Sequence, residues 1–105
     1  MIDIYDTLKE IQKRPPLYLG GRSIFRLESF LYGYFYVKKK MGLPTTEGEK
    51  DFEEFHDWLQ ERLRVKTNKS WSSILLFRSS DESKALDLFF ELLEEFKQRK
   101  DVDEK

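Results

Sequence analysis

Residues 24–37 read IFRLESFLYGYFYV; six of these fourteen positions are aromatic, and five of the six fall between Phe30 and Tyr36. Ile24, Leu27, Phe30, Leu31, Tyr34, Phe35 and Val37 form a broad apolar arc at the turn of a helix. Phe25, Tyr32 and Tyr36 fall on another side. The stretch predicts a helix over 24–41 in an all-α fold, with more aromatic surface than one core face needs. That surplus points to a second, exposed aromatic surface and so to a partner. Ser23 is the expected N-cap. Lys38, Lys39 and Lys40 suit the negative end of the helix dipole and read as a solubilising last turn. Gly42 and Pro44 stop the helix. Gly33 inside it costs up to about 1 kcal/mol relative to alanine. A close helix crossing there could offset that cost, and a large side chain at 33 is expected to destabilise the fold.

Outward from this helix the same periodicity predicts three more long or medium helices and one short one. Asp3 caps a helix over 4–14, with Ile4, Leu8 and Ile11 in one stripe. Pro15 and Pro16 end it. The connection PPLYLGGR (15–22) is expected as a tight turn with at least two of Leu17, Tyr18 and Leu19 packed down. GLPTTEGEK (42–50) reads as a solvated loop. A third helix over 50–64 shows Phe52, Phe55, Trp58, Leu59 and Leu63 on one face. WSSILLF (71–77) has an ambiguous period, but a strand there would have no partner, so a two-turn helix beginning near Ser70 is expected. Ser80 or Asp81 caps a last helix over 82–99, which buries Ala85, Leu88, Phe89, Leu92, Leu93 and Phe96 and looks central. The expected architecture is one domain over 1–105, an irregular bundle of four to five helices with a polar tail frayed from about residue 100.

Composition bounds the function. The 105 residues are 39% hydrophobic and 37% charged, with a formal net charge of −1, which suits a folded chain rather than a disordered one. There is no cysteine, so disulfides and thiolate metal sites are excluded. No apolar run approaches a membrane span, and MIDIYDTLKE lacks the pattern of a signal peptide, so a cytoplasmic protein without membrane attachment is expected. Residues 1–45 hold eight Lys/Arg against four Asp/Glu, whereas 46–105 hold eleven against sixteen. This split suits attraction between the halves of the fold, or steering of a partner.

No motif carries catalysis. His56, the single histidine, has no serine or cysteine context, and a structural or surface role is expected for it. Glu53 stands three before His56, but no second copy completes a di-iron set, and no metal or other cofactor is expected. The acidic pairs at helical spacing, such as Glu91 with Glu95, read as solvated faces. The basic residues form no dense stripe, so nucleic acid is not expected either. Two sites remain. Gly20, Gly21, Arg22 and Arg26, at a helix start, could hold an anion through backbone N–H groups and guanidinium charge. Tyr18, Arg22, Phe25, Tyr32 and Tyr36 have the composition of an interface centre.

Two resemblances bear on this. Lys13 to Gly20, KRPPLYLG, is similar to the KRPGMYIG segment that precedes the ATP site of GHKL-type ATPases. It covers eight residues, has proline at 16, and lacks that family's magnesium motif and glycine-rich lid, so no ATPase activity is expected. Arg14 to Gly20 and Phe30 to Tyr34, with Trp58, Trp71 and Phe89-Phe90, resemble a group of small uncharacterised bacterial helical proteins carrying an Arg-Pro-x-x-Tyr-Leu-Gly turn. Some of these look like immunity proteins that accompany bacterial toxins. The resemblance implies a non-enzymatic inhibitor that recognises one toxin domain by shape and charge. The alternative is a small anion- or nucleotide-binding protein using the 20–26 helix start.

Overall fold

The apolar spacings place the helices where expected, with three departures that have local causes. The structure, a computed structural model, describes residues 2–103. Among these there is no strand, and seven helical segments follow one another: α1 (Ile4–Lys13), α2 (Pro15–Leu19), α3 (Ile24–Lys40), α4 (Glu47–Phe52), α5 (Phe55–Leu63), α6 (Trp71–Phe77) and α7 (Glu82–Asp103). Five are of substantial length and two are single turns or little more, so the fold is an irregular all-α bundle.

The first departure is at the prolines. Pro15 and Pro16 end α1 but also begin α2, where a missing N–H costs nothing because the first turn has no intrahelical acceptor. Gly20, at φ 74°, closes this turn in the left-handed region, its N–H bonding the Pro16 carbonyl at 2.9 Å. Pro15 and Leu19 pack down, but Leu17 and Tyr18 stay exposed, so only one of the three apolar residues at 17–19 is buried rather than two.

The second departure splits the expected third helix. Thr46 and Glu49 form a reciprocal capping box, which starts α4 at Glu47, earlier than the apolar pattern indicates. The chain then tightens at Glu53-Glu54, where the Glu54 N–H reaches back only to the Asp51 carbonyl (3.1 Å), and α5 restarts at Phe55. The bend stacks Phe52 on Phe55 (centroids 5.3 Å apart, planes 9° apart). Arg99 of α7 clamps it through Asp51 (2.7 Å) and Glu54 (3.0 Å). Burial pushes the Asp51 carboxyl up, but bonds from Arg99, Tyr5 and Lys100 outweigh that and hold it at about 2. Arg64, at φ 57°, ends α5 in the left-handed conformation usually given to glycine.

The third departure is at the C-terminus. α7 continues to Asp103, past the residue where fraying is expected to begin; of that polar tail, residues 104 and 105 lie outside the described residues. At its other end Asp81 is the cap, accepting from the Lys84 N–H at 2.8 Å.

The core gathers on α7. Ala85, Leu86, Phe89, Phe90, Leu92, Leu93 and Phe96 are all buried, and Leu88, expected among them, is half-buried. Phe55 stands at the centre of an aromatic cluster, with Phe52, Trp58, Trp71, Phe89 and Phe96 all within 6.2 Å between centroids. Ile4, Leu8 and Ile11 of α1 are fully buried, as are Ile24 and Leu27 of α3.

Candidate functional site

α3 has two unlike faces. Ile24, Leu27 and Leu31 face inward with Lys38 on the same side, and all four are buried. At about 100° per residue, Phe25, Tyr32 and Tyr36 lie within roughly 40° of one another on the opposite side. There they are exposed: Phe25 by 38%, Tyr36 by 63% and Tyr32 by 67%. Ser29 continues the stripe between Phe25 and Tyr32, so the outer face runs over three turns. Phe35 and Val37, assigned to the buried arc from spacing, are exposed instead (36% and 49%). The covered arc is narrower than its composition suggests, and Lys38 rather than an apolar residue takes the inward position of the last turn.

Lys38 is therefore not part of a solubilising helix end. Its Nζ donates to both Glu49 carboxylate oxygens (2.6 and 2.7 Å) and to the Ile2 carbonyl (3.2 Å). Tyr34 also donates to Glu49, and the Thr46 N–H completes the shell at 3.0 Å. Burial raises the Glu49 carboxyl, but these bonds outweigh it and leave it below the usual range. Burial, then the bond to Glu49, raises the Tyr34 phenol. Next to this network the Asp3 carboxylate accepts from the Tyr5 N–H and from Thr46 Oγ1. It lies where a side chain at residue 48 would stand: a Cβ on Gly48 would come within 2.6 Å of it. The network joins α1, α3 and α4 and fixes the end of the aromatic stripe on a rigid base. Lys40 lies over the Tyr36 ring at 5.6 Å.

Gly33 meets nothing within 4 Å of where its Cβ would be. The close crossing that could offset its cost does not exist; Gly33 is exposed.

The residues proposed from sequence do not all converge. Tyr18, Phe25 and Arg26 border one open hollow with Ser23, Ser29 and Glu82, which joins the end of α2 to the stripe on α3. Arg22 points elsewhere, donating to Ser83 Oγ (2.9 Å) and pairing with Asp87 of α7. Arg26 folds back over Gly20 and donates to the Leu19 carbonyl at 3.1 Å, closing the C-terminus of α2. Ser23 accepts from the Arg26 N–H and donates to Glu82. Both guanidinium groups and the helix-capping hydroxyl thus meet partners within the chain, and a carboxylate stands at the α3 N-terminus, where an external anion would have to sit. His56 Nε2 lies 3.0 Å from the Lys69 carbonyl and braces the loop after α5.

Among the described residues no group of three or more histidines and carboxylates could hold a metal ion, and no helix is long and apolar enough to cross a membrane. No family model, curated protein or solved structure matches the chain.

Proposed function

We propose that this chain is a non-enzymatic protein-binding module of the inhibitor type that its resemblance to immunity proteins implies, and that the outer face of α3 is its docking surface. The observation that carries the reading is the exposed stripe of Phe25, Tyr32 and Tyr36 on a side of α3 turned away from its buried face. Rings held on a capped, rigid helix lose little conformational freedom on docking, and aromatic anchors of this kind carry about 2 kcal/mol or more each at interface centres. Tyr18 extends the surface across the hollow, whereas Arg22 serves the fold through α7. Lys39 and Lys40, exposed at the end of the stripe, suit a partner with acidic groups at that edge. The ion pair of Arg22 with Asp87 and the Glu82 carboxylate at the α3 N-terminus weigh for this reading over anion binding at the 20–26 turn.

The test is affinity capture from the native host, followed by calorimetry of the purified partner against the wild type and Tyr32→Ala/Tyr36→Ala. The expected result is a stoichiometric protein complex weakened at least a hundredfold in the variant, with its helical spectrum unchanged. An affinity equal in the two proteins would remove α3 as the docking surface.

A further inference from the structure

The loop after α5 and helix α6 enclose a cleft of about 480 Å³ that no part of the α3 surface shares. Val65 and the buried Ile74 supply its apolar part, and Phe77 stands beside them 91% exposed, the most exposed large apolar side chain described. Lys66, Lys69 and Arg78 supply charge, and no carboxylate lines the cleft. That is notable in a half of the chain where acids outnumber bases sixteen to eleven. None of the three cations forms an ion pair among the described residues.

The walls are braced. His56 holds the Lys69 carbonyl, Gln60 Oε1 accepts from the Thr67 N–H at 3.0 Å, and Arg78 donates to the Leu63 carbonyl at 2.8 Å with the rest of its guanidinium left over. Asp57 and Glu61 line a separate hollow that shares Val65 and Lys66 with the cleft.

We infer that this cleft binds an acidic peptide segment of a partner protein, with an aliphatic or aromatic side chain on Val65, Ile74 and Phe77 and flanking carboxylates on Lys66, Lys69 and Arg78. Charge complementarity sets the sign of the ligand, and the apolar lining requires that it bring an uncharged side chain as well. Carboxylates fit better than phosphate. Free phosphate brings no apolar group for Val65, Ile74 and Phe77, and two of the loop N–H groups are engaged within the chain, Thr67 N with Gln60 and Lys69 N with Thr67 Oγ1.

Selection of random dodecapeptides on the immobilised chain tests this without knowledge of the partner. The wild type and Tyr32→Ala/Tyr36→Ala should both enrich peptides with acidic residues flanking an apolar one. Lys66→Glu/Lys69→Glu and Phe77→Ala, whose altered side chains are exposed and whose folding is checked by circular dichroism, should not. A synthetic copy of an enriched peptide should bind the wild type at least tenfold more tightly than the charge-reversed variant, and more weakly as salt rises. Inorganic phosphate should displace it no better than chloride at equal ionic strength. Absence of enrichment, peptides without acidic residues, equal selection by the cleft variants, displacement specific to phosphate, or loss of selection in the α3 variant would each overturn the assignment. The last would place the peptides on α3 and leave the docking role of that face intact.

Discussion

Phe55 and Tyr32 are both aromatic residues on helices, yet one is fully buried in the core and the other is 67% exposed. Around Phe55, rings from four helical segments meet edge to face or stacked. Around Tyr32 the neighbours on the same face are Phe25, Ser29 and Tyr36 of its own helix. The difference teaches that aromatic content alone does not mark an interface. What marks it is rings on the side of a helix that the bundle does not cover.

The sharpest way to break that contrast is to remove one ring from each region. Phe55→Ala is expected to cost about 3–5 kcal/mol in chemical denaturation, because five neighbouring rings lose a common partner. A cost below 1 kcal/mol would deny the cluster its role. Lys38→Met should follow at about 3 kcal/mol, because Glu49 would be left charged and buried. Lys38→Met/Glu49→Gln should recover at least half of that loss, and no recovery would mean that Lys38 acts through packing alone.

Asp51 gives a pH-dependent test of the bend that positions Phe55. Its folded pKa of about 2 lies below its ordinary 3.8, so its bonds stabilise the fold above pH 4 and are lost as pH falls towards 2. Melting curves of the wild type should show roughly 1–2 kcal/mol of acid-dependent loss over that window that Asp51→Asn lacks; parallel curves would exclude the linkage. On the exposed face the effects are small and one reverses sign. Gly33→Ala should stabilise the chain by up to about 1 kcal/mol, since the space is open and only helix propensity changes. Tyr32→Ala/Tyr36→Ala should leave stability within about 0.5 kcal/mol of the wild type. A larger loss would show that the stripe serves the fold.

Much of this was legible in the sequence for a physical reason. Helical periodicity reports which residues share a face, and Ile4, Leu8 and Ile11, or Phe89, Leu92 and Phe96, share one cleanly. Periodicity also separated Phe25, Tyr32 and Tyr36 from the arc containing Leu27 and Leu31. It does not report how wide the covered arc is, which depends on neighbouring helices; Phe35 and Val37 fell outside it for that reason. The Lys38–Glu49 pair was hidden because a lysine triplet at a helix end is usually solvated, and nothing local marks one member as inward. The start of α4 was readable: Thr46-x-x-Glu49 is a capping-box spacing, but the polar loop composition masked it. The fates of Arg22 and Arg26 depended on α7 and on the α2 C-terminus, contacts made only after folding. The cleft beside α6 had no periodic signature, since its cations come from a loop and a helix end.

Trp58 and Trp71, the only two tryptophans, both sit in the Phe55 cluster. The molecule therefore carries its optical reporters in the part that holds it together and none on the α3 stripe, where the rings are tyrosine and phenylalanine. Tryptophan emission will follow unfolding of the core. A complex formed on α3 would leave that emission nearly unchanged, and the two events can be followed separately in one sample.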